Sequence, residues 1–119
     1  IMTTKEVATE FYALAQQGNW EKIQNELFSN EAKSIEPDHS QGIKNAHGMD
    51  QIKEKGKQWQ AMIEKTHSGF CNEPQVAGNY FTCTMGFDAT FKGQGRMRQE
   101  EIALYEVKDG KIVLEQFFY

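Results

Sequence analysis

MRQEEIALYEVKDGKIVLEQFFY, residues 97–119, is the stretch whose reading decides the fold. Asp109-Gly110 sits between two apolar runs. The tight hairpin turn that matches strand twist needs positive φ at its central residues, and Asp-Gly tolerates it. Met97 to Lys108 and Lys111 to Tyr119 are therefore expected as antiparallel neighbours. Both parities carry apolar side chains: Ile112, Leu114 and Phe118 on one, Val113, Phe117 and Tyr119 on the other. The preceding strand sets Ile102 and Leu104 against Ala103 and Tyr105. A sheet with one face in water alternates more cleanly than this. Both faces want cover. Helices supply it on one side, and a second copy of the chain is the simplest cover for the other, as a C2 homodimer.

Upstream, Asn79 to Lys92 is rich in β-formers and meets this hairpin through the loop Gly93-Gln94-Gly95. Gly86 inside that strand predicts a bulge or bend. Thr66 to Cys71 is a further strand, turned by Asn72-Glu73-Pro74. Before residue 66 the texture is helical. Val7, Phe11, Leu14 and Ala15 form one apolar stripe over residues 3–17, and Thr3 with Glu6 makes a capping box. Gly18 stops that helix. Asn19 caps a short second helix carrying Trp20, Ile23 and Leu27. Residues 32–36 form a short strand ended by Pro37, and residues 38–42 are loop. Gly48 to Lys65 is expected as a third helix, with Met49, Ile52, Trp59 and Ile63 on one face and Gly56 among them. The chain reads as one α+β domain over residues 1–119.

The composition narrows the function. Of 119 residues, 39% are hydrophobic and 25% charged, as in ordinary globular chains. The net charge of −4 is spread without a basic stripe, which argues against nucleic acid. Lys53 to Lys57, interrupted by Glu54, reads as a wetted helix face. No apolar run reaches membrane-spanning length. No signal-peptide pattern opens the chain, which points to the cytoplasm, although a mature secreted form would look the same. Cys71 and Cys83 make no disulfide framework and read as buried thiols, with a cross-strand disulfide or a reactive thiol as the alternatives. No phosphate loop, nucleophile elbow or zinc spacing is present, so no metal and no organic cofactor is expected.

The order helix, short helix, strand, long helix and long antiparallel strands resembles the nuclear-transport-factor-2-like superfamily, nearest its SnoaL-like and ketosteroid-isomerase-like group. Three pieces carry the resemblance: Phe11-Tyr12 followed by Gly18-Asn19-Trp20, the helix start Gly48-Met49-Asp50-Gln51-Ile52, and Leu104 through Ile112. The resemblance implies a cystatin-like cone, with three N-terminal helices packed on a strongly curved mixed or antiparallel sheet. It also implies a pocket between them for a small apolar ligand, and homodimers joined through the outer sheet face.

The same resemblance points to acid–base chemistry. Tyr12 and Glu36 stand where ketosteroid isomerases place an oxyanion-donating phenol and a proton-shuttling carboxylate. The alternatives are a packed tyrosine and a wetted strand-end carboxylate. The second acid of that pattern is missing at Met97, Arg98 and Gln99; Gln99 or Glu101 is left to reach inward. His67 opens a strand and can pair with Glu36 as base and orienter. His39 and His47 rim the mouth, while Trp59, Met62, Phe87 and Phe91 are wall or core. Three functions fit: an isomerase, cyclase or hydratase working on an apolar, oxygen-bearing molecule; a binding module using the same pocket without turnover; and a scaffold whose cone is filled.

Overall fold

The computed structural model describes residues 1–119. Helix α1 spans Thr4–Gln16 and α2 spans Trp20–Leu27. The Thr3–Glu6 capping box forms as expected, and Asn19 accepts a bond from the Lys22 N–H to start α2. Gly18 takes φ 67° between them, the left-handed step that lets the two helices fold back on each other. Their buried faces bring Val7, Phe11, Leu14, Ile23 and Leu27 into one core.

Strand β1 (Phe28–Ile35) follows α2 directly. A short β2 (Ala46–His47) precedes helix α3 (Met49–Met62), and β3 (Ile63–Cys71), β4 (Gln75–Ala77), β5 (Tyr80–Phe91), β6 (Gly95–Lys108) and β7 (Lys111–Phe118) complete the chain. The sheet order is β2-β1-β7-β6-β5-β3, with β4 on the edge of β5. All pairs are antiparallel except β1 with β7, so the sheet is mixed. It curls into a cone around the helices without closing into a barrel. Ala103, Tyr105, Val107, Phe81 and Cys83 point to the helix side and are buried. Phe81 stacks on Tyr105 at 4.9 Å between centroids, and Phe11 tilts against Tyr105 at 4.7 Å. No helix is long and apolar enough to cross a membrane.

The structure departs from the sequence reading in four places. The third helix stops at Met62, not Lys65, because Ile63 enters the sheet opposite Phe91. β1 is longer than residues 32–36, and the two short strands β2 and β4 carry no pattern of their own. Gly86 sits in unbroken register with Glu100 and Phe70, so it makes no bulge. Its missing side chain serves close approach instead: a Cβ there would lie 2.5 Å from the Gln99 carbonyl oxygen and 2.6 Å from the Phe70 ring. The bulges fall elsewhere. One lies between the pairs Glu106–Leu114 and Val107–Ile112, so Val113 is the extra residue. It flips the phase of β7. Ile112 therefore faces the core with Glu115 and Phe117, while Leu114 and Phe118 face outward, against the expected grouping of Ile112 with Leu114 and Phe118. Cys71 and Cys83 are free and buried.

Candidate functional site

The polar interior of the cone is one connected network. Ser34 and Glu36 come from β1 and the residue after it, Lys55 from the middle of α3, Tyr105 from β6, Glu115 from β7, and Tyr119 from the end of the chain. Lys55 Nζ lies 2.6 Å from Glu36 Oε2 and donates to Ser34 Oγ at 2.8 Å. Ser34 in turn donates to Glu115 Oε2 at 2.6 Å, and the Tyr105 hydroxyl donates to Glu115 Oε1 at 3.1 Å. The Tyr119 hydroxyl donates to the second Glu36 oxygen at 2.7 Å. The Lys55–Glu36 pair is buried, with side-chain exposures of 12% and 8%. The Phe117 ring lies 5.4 Å below the ammonium. Every buried side-chain polar atom of the chain has a partner, which such a low-dielectric interior demands.

Beside this network stands Glu101, four residues along β6 from Tyr105 toward the open end. Its nearest donor is the Gln99 amide, at a long 3.4 Å. Burial, then the like charges of Glu36 and Glu115, push its carboxyl up to about 7. Burial also raises Glu115, against the bonds from Ser34 and Tyr105 and the charge of Lys55. Tyr105 is held well above the usual phenol range by burial and by Glu115. Tyr119 is pushed up to about 12, by burial first and then by its bond to Glu36. Two carboxyls on one concave surface thus sit in opposed settings. Glu36 takes donors on both oxygens and is ion-paired; Glu101 has no cation in contact and holds a proton near neutrality.

The chain matches the family model of the SnoaL-like domain over residues 2–119. This chain belongs to the SnoaL-like family. It is similar to a Mesorhizobium loti protein carrying the provisional name SnoaL-like polyketide cyclase, at 32% identity and a TM-score of 0.91, covering 99% of this chain and 100% of that one. Two more distant structures share the fold. A Xanthomonas campestris protein of unknown function with a cystatin-like fold has 20% identity and a TM-score of 0.78, covering 98% of this chain and 90% of that one. TerC, co-crystallised with polyporic acid, has 15% identity and a TM-score of 0.75, covering 98% and 90%. No curated protein matches the chain.

In this SnoaL-like protein the expected residues separate into groups. Glu36 and Glu101 face the same interior. Trp59, Phe87 and Phe91 form an edge-to-face cluster, with Trp59 centroids 5.1 and 5.5 Å from the two phenylalanines. Gln99 pairs with Phe87 in register and links that cluster to Glu101. Met97, on the same face, keeps 42% exposure, so this end of the cone opens to solvent. Met62 packs toward the loop at Gly42. His39 sits at the rim, with Nε2 2.7 Å from the Tyr119 carbonyl oxygen and its ring edge-to-face with Tyr119. His47 is exposed on β2.

Two residues singled out in the sequence stand outside this network. Tyr12 is half-buried on α1 and makes no hydrogen bond; the phenol on Glu36 is Tyr119. His67 does not turn into the cone. It is the extra residue of a bulge in β3, and its Nε2 lies 2.7 Å from Thr90 Oγ1. Thr90 alternates with the inward Phe91 and Ala89, so His67 lies on the outer face. Sequence reading missed Ser34, Lys55, Tyr105, Glu115 and Tyr119. For Lys55 a signal existed: Ile52, Lys55 and Trp59 follow the i, i+3, i+7 spacing of one helix face. On the outer face, Asp88 accepts a bidentate pair from Arg96 at 2.9 and 2.8 Å and a bond from Arg98 at 3.0 Å. That cluster borders an open groove of about 450 Å³ with Ser68, Phe70 and Glu100.

Proposed function

We propose that this SnoaL-like protein is an acid–base isomerase, cyclase or hydratase acting on an apolar, oxygen-bearing small molecule held at the open end of the cone. The observation that carries the reading is the opposed state of two carboxyls on one concave surface. Glu36 is the charged base, able to take a proton from carbon or water. Glu101, protonated near neutrality, donates to the oxygen on which charge develops. Tyr119, which donates to Glu36, orients that base and does not take the oxyanion-donor role that the resemblance assigned to Tyr12. Trp59, Phe87 and Phe91 supply a flat apolar wall. The polyketide-cyclase part of the Mesorhizobium loti relative's name, which also carries the label carbohydrate phosphatase, and the polyporic acid co-crystallised with TerC agree with a flat, oxygenated ligand. The exposed outer sheet face is the surface for a homodimer.

The second reading is a binding module without turnover. It is favoured by the Lys55–Glu36 pair, which occupies the base. Polyporic acid and a set of cyclic ketones serve as probes. Thermal melting reports binding, and NMR reports exchange of α-hydrogens with solvent deuterium. The enzyme reading expects exchange at least tenfold faster with the native chain than with Glu36→Gln, while Glu36→Gln keeps its melting shift. Melting shifts without exchange leave the binding module. Neither signal with any probe overturns both.

A further inference from the structure

We propose that Lys55 is the positioning residue that singles out Glu36 among the cone carboxyls as the ionised base. This deepens the acid–base reading and rests on it. Three carboxyls, Glu36, Glu101 and Glu115, face one interior that holds a single ammonium. Only one of the three touches that ammonium, at 2.6 Å. Charge pairing therefore chooses among chemically identical groups. The other neighbours are Ser34 from β1, Gln99 and Tyr105 from β6, and Tyr119 at the chain end. All are neutral donors in the cited bonds and bring no second positive charge. His39 lies behind Tyr119 on the latter's carbonyl oxygen.

The geometry also explains why Lys55 stays in place. A lysine side chain is flexible and its ammonium strongly hydrated, so a lone contact would hold it poorly. Here Ser34 Oγ accepts from Nζ at 2.8 Å while passing its own proton to Glu115. The Phe117 ring adds a cation–π contact. α3 and β1 are thereby joined through a charge, and the base is fixed by an element that carries no acid of its own at the site.

The test is a titration of the whole protein with ¹³C-labelled glutamate side chains, from pH 5 to 9. In the native chain one carboxyl signal titrates near 7 and is absent from Glu101→Gln. In Lys55→Met the Glu36 carboxyl signal at pH 7 moves toward the chemical shift of a protonated acid. Lys55→Arg keeps the native pattern. A Glu36 signal that keeps its native position in folded Lys55→Met overturns the role of Lys55 and leaves the acid–base reading standing. A Glu101 signal, assigned by its absence from Glu101→Gln, that does not titrate near 7 overturns that reading itself. If Lys55→Met does not fold, the ammonium of Lys55 is observed directly in the native chain by ¹⁵N NMR at pH 7. A sharp, slowly exchanging NH₃⁺ signal that is lost in Glu36→Gln is expected; a signal already averaged by exchange in the native chain overturns the proposal.

Discussion

Glu101 gives the site a stability signature. Its carboxyl moves from an ordinary 4.5 to about 7 on folding. Between those values the folded chain holds a proton that the unfolded chain has released, so stability falls as pH rises through the window and levels off above about 7. A shift of this size corresponds to about 3 kcal/mol at most. Urea denaturation at pH 5 and pH 8 is expected to show the loss in the native chain and most of it removed in Glu101→Gln, which becomes the more stable of the two at pH 8. Equal slopes for both chains would refute it. At this scale Glu36, Gln99 and Glu101, singled out by the family resemblance, lie on the concave side of the sheet. Lys55 was hidden in a charged run that resembles a wetted face, and only its helical phase with Ile52 and Trp59 betrays it. Ser34 and Glu115 are ordinary polar residues until β1 and β7, 81 positions apart at that bond, lie side by side.

The elements show where local rules suffice. The first helix was legible to its cap, since Thr3, Glu6 and Gly18 act on neighbours within four residues. Thr3→Ala removes the hydroxyl that accepts the Glu6 N–H at 3.1 Å and is expected to cost about 1 kcal/mol in chemical denaturation. The Asp109-Gly110 hairpin was equally local: both residues adopt positive φ, at 52° and 75°. The faces of β7 were not legible, because one extra residue, Val113, reverses every side chain before it relative to β6. Gly86 shows the same limit. Its role depends on Phe70 from β3 and on the Gln99 carbonyl of β6, neither of which is a sequence neighbour. Gly86→Ala places a methyl against backbone that cannot yield cheaply, and a loss of about 1–3 kcal/mol is expected in the same assay. The companion change Phe70→Ala, made with it, recovers only the part due to the ring.

At the scale of the whole molecule, the cone answers one of the two demands made by the two-sided apolar strands. Helices α1 to α3 cover the concave face. The convex face stays bare: Ile102 keeps 50% exposure, Phe118 47% and Phe70 43%. Register aligns Phe118, Ile102 and Thr84 in one row across β7, β6 and β5, with Gln116, Leu104 and Thr82 in the next. A strip that sets Phe118, Ile102 and Leu104 among uncharged polar neighbours on an antiparallel sheet is suited to a second copy of itself under twofold symmetry. Light scattering coupled to gel filtration is expected to give twice the chain mass for the native protein. Ile102→Glu sets a charge in the centre of the strip and is expected to give the single-chain mass. Because Ile102 is half exposed within one chain, the variant keeps its fold, which circular dichroism verifies. A native mass of one chain at high micromolar concentration would remove the dimer. The bare strip would then need another occupant, and the site in the cone would be unaffected, since none of its polar groups lies on that face.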